Sequence, residues 1–246
     1  MPYEQNQPVW SVVIPAYNEE ERLPVYLLEV VSFFDAKGEP YEVIVVDDGS
    51  QDRTREIVQE LGAAHKTIRL IAFPQNHGKG FAVKVGTLSA TGAFRLFADA
   101  DGATPISELA RLEHALQGGA DIAIGSRAVP DPEVTVTTQR HRMWARKIFN
   151  WMAARLGLHE IADSQCGFKG FRATVAEDLF RSLSIEGFSF DVELLMLAQR
   201  RGYRIAEVAV NWTDQSGSKV RLLTDGPRML WQILRVRLFL ARGRKL

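Results

Sequence analysis

The feature that most limits the fold is a rhythm in the first half of the chain. Short, nearly continuous runs of β-branched and aliphatic residues cover 10–14, 42–46, 67–72, 93–98 and 121–125. Segments with helical periodicity fill 20–36, 53–61, 80–90 and 107–117 between them. A strand with one wet face alternates polar and apolar residues, whereas an unbroken apolar run is covered on both faces. The repeated strand, helix, strand order therefore predicts an α/β fold with a mostly parallel central sheet flanked by helices. In such sheets ligands bind beyond the carboxyl ends of the strands, so the residues after each run are where chemistry is expected.

After Arg127 the rhythm changes. A polar stretch opens with Pro130, Asp131 and Pro132, then helices are predicted at 140–156, 174–183 and 190–201 and a strand at 204–210, with a further segment at 163–171. No long linker interrupts this order, so one domain is expected through residue 222, followed by a basic amphipathic helix and tail over 223–246. Of 246 residues, 46% are hydrophobic and 24% charged, which suits a packed globular core and excludes a disordered chain. Thirty basic residues balance thirty acidic ones, so general attraction to polyanions is absent and nucleic acid is not an expected partner. Any anion site must be local. The lone cysteine, Cys166, excludes an intrachain disulfide or a cysteine-based zinc cluster and fits a reducing, cytoplasmic setting. No segment has the roughly 18 to 20 consecutive apolar residues of a spanning helix, and residues 1–6 show no secretory signal, so contact with a membrane is expected to be peripheral.

The strand ends are crowded with acids. Pro15, Ala16, Tyr17, Asn18 and Glu19 follow the first run; Asp47, Asp48, Gly49, Ser50 and Asp52 follow the second; Asp99, Ala100 and Asp101 follow the fourth. Five aspartates and one glutamate near one crevice repel each other unless a cation or hydrogen bonds offset the charge. Asp-x-Asp at a strand end suits Mg²⁺ or Mn²⁺, which takes oxygen ligands and shares its coordination with substrate phosphates. A nucleotide diphosphate is the natural co-ligand. Each piece alone also reads as a turn or a helix cap, Asp101-Gly102 and Ser50 or Asp52 included; their recurrence in order along one sheet edge favours the cation site.

These motifs resemble the family 2 glycosyltransferases with a GT-A fold. The resemblance is carried by residues 13–19, 45–52, 76–80, 99–101 and 125–127. Within the family, residues 163–169, Phe190-Asp191-Val192-Glu193, Asn211-Trp212 and Gly217-Ser218-Lys219 are most similar to the dolichyl-phosphate hexosyltransferases, on the β-glucosyltransferase side. The resemblance implies a nucleotide-sugar-binding half over 9–127 and an acceptor-side half over 128–222. It places Pro15, Tyr17, Glu19, Asp47, Asp48 and Lys79 around the nucleotide and gives the metal to Asp99 and Asp101. Arg127, Arg140 and Lys219 become the cations that receive the lipid phosphate and the diphosphate, with Arg142 an equal candidate to Arg140. Gln165 and Lys169 fall in the acceptor motif, and Asp101, Arg127 and Lys219 are implied in catalysis.

The implied reaction is inverting, metal-dependent transfer of a hexose, glucose from UDP-glucose, to dolichyl or another polyprenyl phosphate. A phosphate acceptor is already nucleophilic at neutral pH and needs no base. Three alternatives stay open: GDP-mannose as donor, a glycan or protein hydroxyl as acceptor with Asp191 or Glu193 as base, and a nucleotide-sugar-binding scaffold without turnover. Residues 226–246 carry six Arg or Lys and no acid, and Arg228, Arg235 and Arg242 share a stripe, so this segment is a candidate for peripheral contact at the cytoplasmic face of a membrane.

Overall fold

The structure is a computed structural model that describes residues 7–155, 157–158, 160–215, 231–232, 234–235 and 237, with the backbone alone at 140–142, 145 and 146. The predicted tail helix therefore lies largely outside the described residues.

All five apolar runs are strands: β1 (Trp10–Ala16), β2 (Tyr41–Asp47), β3 (Ile68–Ala72), β4 (Phe94–Ala98) and β5 (Ile122–Ser126). The helices between them are α1 (Leu23–Lys37), α2 (Thr54–Ala64), α3 (Lys79–Ser89) and α4 (Leu109–Gln117), the last preceded by a 3-10 turn at Ile106–Glu108. The second half supplies β6 (Val136–Thr137), α5 (Arg140–Arg155), β7 (Phe168–Arg172), α6 (Ala173–Arg181), α7 (Phe190–Arg200), β8 (Ile205–Ala209) and β9 (Trp212–Thr213). β1 runs past the predicted end at Ile14. Its pairing with β4 stops at Val13, while that with β2 continues to Ala16, so the missing N–H of Pro15 falls where the β4 side has no partner to satisfy.

The seven-stranded sheet has the order β3-β2-β1-β4-β7-β5-β8. Every neighbouring pair is parallel except those of β7, which runs antiparallel to both β4 and β5. This reversed strand begins inside the predicted 163–171 segment and runs one residue past it. Its start, Phe168, pairs with Ala98 at the end of β4, so the loop before β7 meets the Asp99–Asp101 turn. β6, inside the polar stretch, pairs with the distant β9 as a separate two-stranded sheet, each strand too short for any periodic signal.

The unbroken apolar runs have the predicted cause. Val12, Ile14, Val43 and Val45 point into a core shared with α1 and α4, while Val13, Ile44 and Val46 point to the opposite face, against Ala82 and Ala90 of the α3 region. Further along, Ile122, Ile124 and Phe171 join α6, α7 and Ala153 of α5 in another core on that face. Burial on both faces keeps the sheet's carboxyl edge fixed relative to the helices that start there.

Candidate active site

The loops after β1 and β2 are stitched into one unit. Asn18 N–H donates to Ser50 Oγ at 2.9 Å, Glu19 N–H to Thr54 Oγ1 at 2.8 Å and Glu20 N–H to Asp52 Oδ2 at 3.2 Å. In return Gln51 N–H donates to Asn18 Oδ1 at 2.8 Å and Arg53 N–H to Glu20 Oε2 at 3.0 Å. The third loop is attached by Asp48, whose two carboxylate oxygens accept the backbone N–H groups of His77 (2.9 Å) and Gly78 (2.7 Å). Gly78 reaches this contact at a φ of +117°, and a Cβ there would stand 2.5 Å from Glu186 O, so only glycine fits.

The crowded acids thus divide into two groups, the first offset by hydrogen bonds and ion pairs within the protein. Asp47 is fully buried, with Ser50 N–H on one oxygen and Arg55 Nε on the other at 2.9 Å. Asp52 accepts from Thr54 N–H and hydroxyl and from Glu20 N–H, and Glu19 takes a fork of two N–H groups from Arg22. With Asp48, these four engage both oxygens in protein contacts. They build the wall of the crevice. Pro15 and Tyr17, partly exposed, lie at the same edge.

Asp99 and Asp101 form the second group, with side chains 33% and 28% exposed. Asp99 pairs with Lys79 Nζ at 2.7 Å. Asp101 accepts from Ala103 N–H at 3.0 Å and lies 3.9 Å from the Arg22 guanidinium. Burial and the neighbouring Asp99 push the Asp101 carboxyl above its ordinary value. For Lys79, burial opposes the charge, but Asp99, Asp191 and Asp101 outweigh it and hold the ammonium above its usual range. Gly167, in the loop before β7, lies directly against Asp99: an added Cβ would be 2.0 Å from Oδ2. Asp99 N–H also donates to Gly167 O at 3.0 Å.

The donor set suits a hard divalent ion. Two oxygen ligands stand on one turn, and among the described residues no third His, Cys, Asp or Glu joins them, so a shared pyrophosphate would complete the coordination. Two buried polar groups at this edge, Gln165 Nε2 and the Tyr26 hydroxyl, have no hydrogen-bond partner among the described residues. The Tyr26 ring packs on Gly102, and burial with the nearby Asp99 and Asp101 raises its hydroxyl pKa far above the ordinary phenol value. Tyr26 was not singled out from sequence, because it sits within the apolar pattern of α1.

In the second half of the chain, Arg127 follows β5 and forms a two-pronged pair with buried Asp163 at 2.6 and 2.8 Å, its guanidinium 5.1 Å from the Trp212 ring centroid. Burial opposes its charge, and Asp163 more than restores it. Lys169 requires a correction. Expected at the acceptor phosphate, it is fully buried and donates to Asp191 Oδ1 at 2.6 Å and to Cys166 O at 2.5 Å. Its ammonium and that of Lys79 both lie near the Phe97 ring, at 5.7 and 5.2 Å. Of the two alternative bases, Asp191 is engaged by Lys169, and Glu193 accepts from Ser184 N–H and hydroxyl and from Ile185 N–H. Burial pushes the Cys166 thiol up to about 11, which leaves it protonated and packed. The Arg140 and Arg142 side chains and Lys219 lie outside the described residues.

Residues 11–180 match the sequence model described as Glycosyl transferase family 2. A dolichyl-phosphate beta-glucosyltransferase of Drosophila melanogaster is 44% identical over 85% of this chain and 68% of its own. The enzymes of that name from Homo sapiens and Saccharomyces cerevisiae are 41% and 35% identical, over 85% and 93% of this chain and 69% and 74% of theirs. Among solved structures, glucosyl-3-phosphoglycerate synthase of Mycobacterium tuberculosis, in complex with Mn²⁺, UDP and glucosyl-3-phosphoglycerate, superposes with a TM-score of 0.69 at 22% identity, covering 94% of this chain and 79% of that one. Mannosyl-3-phosphoglycerate synthase of Rubrobacter xylanophilus gives 0.70 at 19%, covering 96% and 75%. The fold is GT-A.

Proposed function

Because the chain belongs to glycosyl transferase family 2, and is thus a glycosyltransferase, we propose that it transfers glucose from UDP-glucose to dolichyl or another polyprenyl phosphate with inversion at the anomeric carbon. The sugar and acceptor follow the names of the relatives, and the donor follows the UDP and UDP-glucose held by structural neighbours. The observation that carries the reading is the division of the acids: four brace loops, and Asp99 and Asp101 stay open beside Lys79.

In this reading Asp99 and Asp101 hold Mg²⁺ or Mn²⁺, which when bound serves as a Lewis acid for the charge that develops on the donor's β-phosphate. Lys79 adds positive charge beside the same phosphates. Pro15, Tyr17, Glu19, Asp47 and Asp48 form the wall for base and ribose, and the two stitched loops and the 76–78 loop keep that wall rigid before the donor arrives. Arg127, fixed in orientation by Asp163 and Trp212, presents its remaining N–H donors to the acceptor phosphate, with Gln165 beside it and Arg140 and Lys219 completing the cationic set. An acceptor phosphate oxygen attacks the anomeric carbon as the bond to the β-phosphate oxygen breaks, and UDP departs.

The engagement of Asp191 and Glu193 in protein contacts supports a phosphate acceptor over a hydroxyl, since a hydroxyl needs a carboxylate that can take its proton. The buried free cysteine fits a catalytic domain at the cytoplasmic face of a membrane. The test is incubation of the full chain with Mn²⁺, labelled UDP-glucose or GDP-mannose, and polyprenyl phosphate. A β-linked glucosyl lipid from UDP-glucose alone is expected; turnover only with GDP-mannose, or only onto a hydroxyl, overturns the proposal.

A further inference from the structure

We propose that the outer face of α5, with Trp231, Arg235 and Arg237, is the surface by which the protein lies on an anionic lipid bilayer. The inference rests on the lipid-acceptor reading above but is carried by a different part of the molecule. Trp144, Ile148 and Trp151 are 61%, 54% and 58% exposed, and their spacing of four and three places them on one helical stripe. The opposite side of α5 packs Ala153 and Phe149 into the core, so the exposed stripe faces away from the protein interior.

Cations accompany these rings. Lys147 Nζ lies 5.6 Å from the Trp144 ring and the Arg155 guanidinium 4.9 Å from that of Trp151. The C-terminal segment continues the surface: Arg237 donates to Arg155 O at 2.7 Å, Trp231 is exposed, and Arg235 lies 5.6 Å from its ring. Neither α5 nor residues 231–237 contain an Asp or Glu, while α5 alone carries five Arg or Lys. In a chain of zero net charge this is a local positive surface studded with indoles.

A tryptophan ring with an apolar body and one N–H donor suits the headgroup boundary, where basic side chains also meet anionic lipid. With 16 residues α5 is about 24 Å long, and its cations recur along its length, so it lies in the plane of the interface rather than across it. Charge complementarity selects the bilayer as occupant: a second copy of this surface would set like charges against each other.

The test is vesicle flotation of the full chain without nucleotide sugar or acceptor lipid, on phosphatidylcholine vesicles with or without about one-third phosphatidylserine. Wild type should float with the anionic vesicles and lose binding as salt rises. Replacement of both Trp144 and Trp151 by Ala should lower partitioning by about tenfold or more, while Leu28→Ala, an exposed apolar residue of α1, should not change it. Absence of wild-type binding to anionic vesicles overturns the proposal. So does unchanged binding by the double variant, including the case in which sedimentation shows that it has dissociated an oligomer instead. Binding of wild type to these vesicles together with no transfer to any polyprenyl phosphate would sink the acceptor reading and leave the surface standing.

Discussion

Gly167→Ala is the substitution that most directly tests the geometry of the open carboxylates. The new methyl carbon would stand 2.0 Å from Asp99 Oδ2, 2.2 Å from Cγ and 2.6 Å from Oδ1, whereas ordinary contact begins at 3.4 Å. The carboxylate must retreat by more than about 1 Å or β7 must move, and β7 is locked between two neighbours in the middle of the sheet. Retreat breaks the 2.7 Å contact with Lys79 and moves one of the two proposed metal ligands. A displacement of this size at a reacting centre costs about 100-fold in rate. The accompanying overpacking should cost about 1–3 kcal/mol of stability, and in a chain of this size each kcal/mol lowers Tm by about 2–4 °C. Radiolabel transfer from UDP-glucose gives the rate, and thermal unfolding with and without Mn²⁺ plus UDP gives both the stability loss and the loss of the ligand-induced shift. Gly187→Ala is the control, because its Cβ meets nothing within 4 Å and its backbone is unstrained. A Gly167→Ala protein within about threefold of wild-type rate, with its Mn²⁺ shift intact, would refute the argument that this carboxylate must stay where it is.

Asp101→Asn should abolish the Mn²⁺-induced rise in Tm, and it carries a pH signature. Burial and Asp99 raise the Asp101 carboxyl above 3.8, so within the window above that value the folded state binds more protons and stability falls as pH rises; urea midpoints from pH 4 to 7 without metal should show a flatter slope in the variant. Asp48→Asn places an N–H donor group against the His77 and Gly78 amides and should cost about 1–3 kcal/mol; with Lys79 next in sequence, KM for the donor should rise more than kcat falls, as steady-state kinetics would show. Lys169→Met or Asp191→Asn alone should destabilise by about 3–5 kcal/mol, and the double substitution should recover part of that loss in urea denaturation. A stable Lys169→Met protein that has lost acceptor affinity would restore Lys169 to the acceptor site.

The framework was legible because burial on two faces leaves a mark in sequence: Val43 to Val46 are apolar without a break, and only a covered strand needs that. Asp99 and Asp101 stand out in sequence because two acids at short spacing follow an apolar run, and the structure leaves both side chains partly exposed at the end of β4. What the spacing could not reveal is how each carboxylate is used. Asp48 and Asp99 follow apolar runs alike, yet one fastens a loop through two amides and the other stays open. That difference depends on residues about 29 positions away in one case and 20 in the other, and nothing local encodes it. Lys169 was misread for the same reason. Its motif marks it as polar, but its partner, Asp191, lies 22 residues on, and only the register of β7 decides that it faces the interior. β6 and β9, two residues each, are below the length at which any period can be seen.

The reversed strand in the centre of the sheet bears on how such a protein can be recombined. Because β7 shares its ladder with β4 on one side and β5 on the other, the chain cannot be divided near residue 127 into a donor module and an acceptor module that fold apart. A chimera that imports the latter part of a relative's chain imports the middle plank of the sheet with it. Slipping that plank by a single position would turn Lys169 toward the α1 side and carry Gly167 away from the carboxylate it accommodates. Grafting from a relative is thus confined to segments outside the central sheet, while residues 167–172 must come with a register that the host strands already match.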